Sequence, residues 1–295
     1  MKVGFTLPIV GPAITGADGL SAFCGGLEDL GYDTLTVGDR LAMPVTISSD
    51  YPGGEPPQIM RRYLDPVLLW TVAATSTKRM RLNASTLNLF YWEPVHLARV
   101  LTTFDVLSGG RVDVGVGLGW MREEYEVSRG ADWHKRGAML DEMLAFLHTW
   151  WTTNPVSFEG EFVAIQPLHA DLRPVQPGGP PIWIGGASKA AMRRLGRVGS
   201  GWLGYEWLPK EEADKLWSVA RAAAEDAGRD PDALKMSLRM NLERGVSVDT
   251  IAAKLTRIAE SGAGDEVVMD GYDAFDSLET WLDFAGRLME RIGRL

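Results

Sequence analysis

The strongest chemical signal in the chain is Gly185-Gly186-Ala187-Ser188, which joins the apolar run 182–184 to a helical stretch starting at Lys189. Glycines at such a junction let backbone N–H groups come close to an anion, and the positive end of the helix dipole attracts its charge. A phosphate is the expected ligand. The structural alternative makes Ser188 a helix N-cap and the glycines a tight turn. Lys189, Arg193 and Arg197 follow at four-residue spacing with Arg194 beside them, so their charge could support the same anion or simply face solvent.

Gly115-Val116-Gly117-Leu118-Gly119-Trp120 also follows a β-prone run. It misses the dinucleotide fingerprint G-x-G-x-x-G, because Trp120 stands where the third glycine belongs. Small residues at Gly117 and Gly119 would let a planar ring lie against the backbone, with Trp120 as one wall of a pocket. Glu123, Glu124 and Tyr125 come next and are either reactive groups or the surface start of a helix. Asp39 closes a third β-prone run, where it can orient a ligand or cap the loop. Arg40 beside it stays protonated, so it would polarise a carbonyl or bind a carboxylate but not shuttle a proton. Ser85 and Thr86 end a fourth run with a pair of hydroxyls. The histidines His96, His134, His148 and His169 lack metal-ligand spacing, and no metal is expected. Cys24, the single cysteine, reads as a small buried hydrophobe. Nucleophile-elbow, kinase and P-loop signatures are absent.

These groups sit at the ends of short β-prone runs that alternate with helical stretches, the pattern of parallel strands joined by crossover helices. Strands are predicted over 3–7, 34–37, 81–87, 112–116, 182–184, 202–204, 235–239 and 266–269. Helices are predicted over 20–30, 66–75, 94–107, 135–151, 189–197, 210–227, 248–261 and 277–291. The number of strands favours closure into a single (β/α)₈ TIM barrel over residues 1–295, and the failed fingerprint argues against an open doubly wound sheet. Segments 41–63 and 152–181 are longer than ordinary barrel loops and read as insertions after strands 2 and 4. The first, rich in Pro and Gly, is expected to act as a lid that orders over the mouth. The second contains a predicted hairpin over 156–163 with Glu159-Gly160 as its turn.

The 45% hydrophobic content supplies a full core, and the net charge of −9 repels phosphate backbones and anionic membranes. The start, interrupted by Gly4, Pro8, Gly11 and Pro12, lacks a secretory apolar core, and the longest apolar run is far shorter than the ~20 residues of a bilayer span. A soluble, cytoplasmic protein with a small-molecule substrate is expected, with no nucleic-acid or membrane partner.

Four motifs in order resemble the luciferase-like flavin and deazaflavin oxidoreductases, in particular the branch that uses coenzyme F420. They are Tyr32-Asp33-Thr34-Leu35-Thr36-Val37-Gly38-Asp39-Arg40; Leu107-Ser108-Gly109-Gly110-Arg111 leading to Gly115-Val116-Gly117-Leu118-Gly119-Trp120-Met121-Arg122-Glu123-Glu124; Asn154-Pro155-Val156-Ser157-Phe158-Glu159-Gly160; and Pro180-Pro181-Ile182-Trp183-Ile184-Gly185-Gly186-Ala187-Ser188. The resemblance covers most of residues 1–205 and fades beyond Gly204 to a generic barrel ending. It implies a homodimeric hydride-transfer enzyme that uses F420, with FMN as the alternative cofactor. Asp39 would touch the cofactor, and Ser85 and Thr86 would form a bulge with a non-prolyl cis peptide behind its central ring. Gly117, Gly119 and Trp120 would surround the ring, and Gly185, Gly186, Ala187 and Ser188 would hold its phosphate. Two departures from the branch stand out: Arg40 replaces a proton-handling histidine, and Trp120 replaces a glutamate donor. Arg40 and Glu124 are then the expected catalytic residues. An FMN-dependent monooxygenase of the same fold and a non-catalytic flavin or deazaflavin carrier are the competing readings.

Overall fold

The computed structural model describes residues 1–51, 58–128 and 132–293. In chain order the elements are β1 (Lys2–Thr6), α1 (Ala17–Leu30), β2 (Thr34–Val37), α2 (Pro66–Ser76), β3 (Arg81–Ala84), β4 (Leu87–Asn88), α3 (Pro94–Ser108), β5 (Val112–Gly117), α4 (Arg122–Ser128) and α5 (Arg136–Thr152). They continue with β6 (Val156–Glu159), β7 (Ala164–Leu168), β8 (Ile182–Gly185), α6 (Lys189–Val198), β9 (Gly201–Tyr205), α7 (Lys210–Asp226), β10 (Lys235–Asn241), α8 (Val248–Ser261), β11 (Glu266–Asp270) and α9 (Leu278–Ile292).

The strands pair in the order β3-β2-β1-β11-β10-β9-β8-β5-β4, and a β3–β5 pairing closes the ring. Counting β3 and β4 as two halves of one interrupted strand, this is an eight-stranded parallel barrel with helices between strands, the predicted (β/α)₈ TIM barrel. Its strands alternate faces with the β period of two. Phe5, Leu35, Leu82 and Val267 are buried outside the ring, whereas Thr6, Thr36, Ser237 and Arg239 line a cavity inside it. Helices seal the outer faces with regularly spaced apolar stripes. In α9 the hydroxyl of Ser277 caps the first turn by accepting from Thr280 N–H (3.2 Å), and Trp281, Phe284, Ala285 and Leu288 face the barrel. Trp281 packs against Phe23, Phe275 and Phe5 with ring centroids 5.2, 5.3 and 5.9 Å apart. Truncation of so buried an indole costs about 3–5 kcal/mol.

The barrel interior is unusually polar, and its carboxyls meet hydrogen-bond donors. Arg81 Nε donates to Asp113 Oδ2 (2.9 Å), while Glu266 accepts from the hydroxyls of Thr34 and Ser237. Burial pushes the Asp113 and Glu266 carboxyls above their usual range, with those partners pulling back.

Two local expectations need revision. The predicted strand over 81–87 is broken at Ser85-Thr86. The hairpin turn spans 160–163 instead of Glu159-Gly160, because β7 begins only at Ala164. A helix does start near Glu123, as α4, but Glu124 and Tyr125 on it are buried and do not face solvent. Cys24 is fully buried, and desolvation raises its thiol to about 12, as suits a packing residue.

Candidate active site at the barrel mouth

The C-terminal ends of the strands gather most of the chemistry-bearing residues. Asp39 follows β2, and its Oδ2 accepts from Asn88 N–H (3.0 Å) beyond the interrupted third strand. Burial raises its pKa to about 7; the Asn88 N–H and the Trp92 indole oppose the shift, and the nearby charges of Glu124 and Asp65 add to it. A carboxyl with that pKa can hold or accept a proton near neutrality.

Between Ala84 and Leu87 the chain bulges inward, and the Ser85-Thr86 peptide is cis. Ser85 N–H donates to Val37 carbonyl (2.7 Å), and its side chain lines the cavity. Thr86 lies between two of the glycines singled out above. A Cβ on Gly117 would stand 2.4 Å from Thr86 Oγ1, and one on Gly185 would stand 2.6 Å from Thr86 Cγ2. At both positions the space a Cβ would take is occupied by Thr86. Gly119 adopts φ +64 beside Asn88 Oδ1, a conformation that side chains other than glycine rarely take.

Arg40 and Glu124 come together as a buried pair, Nη1 to Oε2 3.5 Å. The Arg40 guanidinium lies 4.9 Å from the Trp120 ring centre, and Trp120 packs on Tyr51 with centroids 4.9 Å apart. Glu124 also accepts from Leu41 N–H, Ala42 N–H (3.1 Å) and the Tyr91 hydroxyl. With four donors around it, Glu124 clamps the chain at 40–42. Its neighbour Glu123 clasps the same loop further on, accepting from both the N–H and the hydroxyl of Ser48 and of Ser49. Burial works against its ionisation, but these serine donors outweigh burial and bring its carboxyl down to about 2. The near flank of the long segment is thus tied to α4. Its far flank is held by Leu64 N–H on Ile9 carbonyl and by a bridge between Val10 and Tyr63. Residues 52–57, the centre of the expected lid, lie outside the described residues.

At the glycine turn after β8, Gly186 has φ +104 and its carbonyl accepts from Trp202 Nε1–H (2.9 Å). Ser188 is the N-cap of α6, accepting from Ala191 N–H (3.2 Å), while Ala187, Ser188 and Lys189 are exposed. The basic cluster divides. Arg194 is buried against Asp141 on α5 (Nε to Oδ1 2.6 Å), and Arg197 shares that carboxylate (3.3 Å). Both hold helix to helix, which leaves Lys189 and Arg193 exposed on the first turns.

Reading the sequence alone missed the opposite wall of the mouth. Arg239 on β10 pairs with Asp270 at the end of β11, and the phenols of Tyr63, Tyr205 and Tyr272 lie close enough to feel its charge. The signal was present in β10, where Ser237 and Arg239 alternate with Leu238 and Met240 and so must face the barrel interior.

The family model described as luciferase-like monooxygenase matches residues 1–278. An uncharacterised protein of Mycobacterium tuberculosis is 32% identical over 180 residues, covering 60% of this chain; the match spans 64% of that relative's length. Among solved structures, an F420-dependent secondary alcohol dehydrogenase in complex with an F420-acetone adduct superposes with TM-score 0.77 at 14% identity, covering 99% of this chain and 98% of that one. The oxygenating constituent of the 3,6-diketocamphane monooxygenase from Pseudomonas putida, in complex with FMN, gives TM-score 0.75 at 16% identity, with 99% and 98% covered. At these identities the two structures speak for the fold alone.

Proposed function

Because the chain belongs to the luciferase-like monooxygenase family, we propose that it is an F420-dependent oxidoreductase that moves a hydride between the deazaflavin and a small organic substrate at the barrel mouth. The observation that carries this reading is the placing of Asp39 at the barrel mouth just past β2, held by Asn88 N–H (3.0 Å) and pushed up to about 7 by burial. Hydride transfer to a carbonyl, or from an alcohol in reverse, needs a proton given to or taken from the same oxygen, and neither Arg40 nor Trp120 can be that partner.

The residues present fit a phosphate-bearing ring cofactor. Buried Asn88 Oδ1, near the mouth, has no hydrogen-bond partner among the described residues. The turn before α6 offers exposed backbone at a helix N-terminus. In this reading Gly185, Gly186, Ala187 and Ser188 hold the phosphate, Ser85 and Thr86 back the ring, and Gly119 and Trp120 border it. When bound, the deazaflavin supplies a two-electron hydride at C5. Asp39 gives or takes the accompanying proton at the substrate oxygen. Arg40, fixed by Glu124 and stacked on Trp120, keeps a positive charge beside that oxygen, and Glu124 positions Arg40. Tyr51 and Trp120 exclude water from above. The working unit is taken as a cytoplasmic homodimer.

FMN shares the phosphate and ring positions, so an FMN-dependent monooxygenase is the rival. Oxygen separates the two. With reduced F420 and a panel of small ketones, the proposed enzyme oxidises the coenzyme anaerobically and consumes no O₂. Turnover that requires O₂ and reduced FMN would replace this reading with the rival.

A further inference from the structure

Arg239 lines a narrow cavity beneath the mouth. Side by side on β9 and β10, Tyr205 and Arg239 are register partners that both face inward. The cavity below them holds about 10 Å³, close to the minimum for one water, and is lined by Thr6, Thr36, Ser85 and Ser237 as well as Arg239. Among the described residues Arg239 is the only cationic one on that lining. Nε donates to Asn241 Oδ1 (3.2 Å) and Nη2 to Asp270, which leaves about three of the five guanidinium N–H donors for a ligand. Thr36 Oγ1, almost fully buried on the same lining, has no partner among the described residues. A buried hydroxyl and a partly free guanidinium on one small cavity call for an acceptor from outside.

Size and charge narrow the class. A dianionic phosphate would need a second cation here, and Arg40 is engaged by Glu124. A carboxylate matches the planar fork of a single guanidinium. The neighbourhood of Arg239 is aromatic: Tyr205 lies near both Arg239 and Tyr51 and packs on Trp207 with centroids 4.8 Å apart, while Tyr51 packs on Trp120. Such rings offer flat apolar area to a ligand body too large for the cavity.

We propose that Arg239, with Thr36, binds the carboxylate of a small aromatic or conjugated monocarboxylate whose planar body rests against the rings of Tyr205, Trp207, Tyr51 and Trp120. The proposal rests on the oxidoreductase reading for its place beside the reaction, although the binding itself can be read without turnover.

The test uses benzoate as probe, with methyl benzoate and benzamide as neutral controls, titrated by tryptophan fluorescence with and without saturating cofactor. Benzoate should bind at least ~10-fold more tightly than either control, and Arg239→Met should remove that preference while leaving methyl benzoate and cofactor affinity unchanged. Arg239→Lys should keep part of it. Since Arg239→Met strands a buried Asp270 and could unfold, Arg239→Met/Asp270→Asn removes both charges together and should give the same loss of preference. Equal binding of benzoate and benzamide, or an Arg239 variant that loses cofactor affinity instead, overturns the proposal. A carboxylate preference without any F420 or FMN binding would sustain this site while sinking the cofactor reading.

Discussion

At the scale of single residues the account turns on Asp39. Its folded pKa of about 7 lies above the ~3.9 of an unfolded aspartate, so between those values the folded state holds a proton that the unfolded state has lost. This contribution to stability is complete below about pH 4 and disappears as pH rises through about 7. Asp39→Asn should abolish that slope, seen as a difference between wild-type and variant urea midpoints that changes from about pH 5 to about pH 8. The same substitution should lower turnover by roughly 100-fold or more and erase a near-neutral limb from the rate profile. That limb rises with pH for alcohol oxidation and falls for ketone reduction; retention of the limb in Asp39→Asn would move proton transfer elsewhere. The phosphate assignment can be tested without strain at Ala187, which is exposed and has an ordinary backbone, whereas Gly186 has positive φ. Ala187→Glu should weaken F420 binding at least ~10-fold while shifting stability by no more than ~0.5 kcal/mol, and unchanged affinity would remove the phosphate from this turn.

At the scale of elements, the strand ends fit together through side chains that no periodicity could announce. The eight barrel strands were legible as short apolar runs buried on both faces, and the eight long helices between them as longer stretches with an apolar stripe. Pairings across the mouth were not legible. Nothing local tells Glu124 that it will meet the N–H groups of Leu41 and Ala42, or tells Arg194 that it will turn from the anion turn toward Asp141. The glycines were picked out for smallness, but their neighbour was hidden, since Thr86 comes from another strand. Gly117→Ala should therefore cost about 1–3 kcal/mol by pressing on Thr86, and Thr86→Ala should recover most of that loss in the double variant. Additive losses in urea denaturation would mean that the two sites do not touch.

At the scale of the whole molecule, closure of the barrel brings residues from first strand to last around one mouth. The reading by resemblance ended near Gly204, so the Arg239–Asp270 side was invisible even though it completes the same ring of strand ends. Two arginine–carboxylate pairs, Arg40–Glu124 and Arg239–Asp270, now stand at the mouth on an otherwise acidic protein, with Asp39 as the carboxyl that lacks an arginine partner among the described residues. This arrangement suits a site where a cofactor and a polar substrate meet with one proton between them. The most direct measurement of that claim is a side-by-side equilibrium titration of F420 and FMN into the protein, read by quenching of tryptophan fluorescence. The account predicts saturable binding of F420, at least ~10-fold tighter than that of FMN. Tight binding of FMN with none of F420 would contradict it.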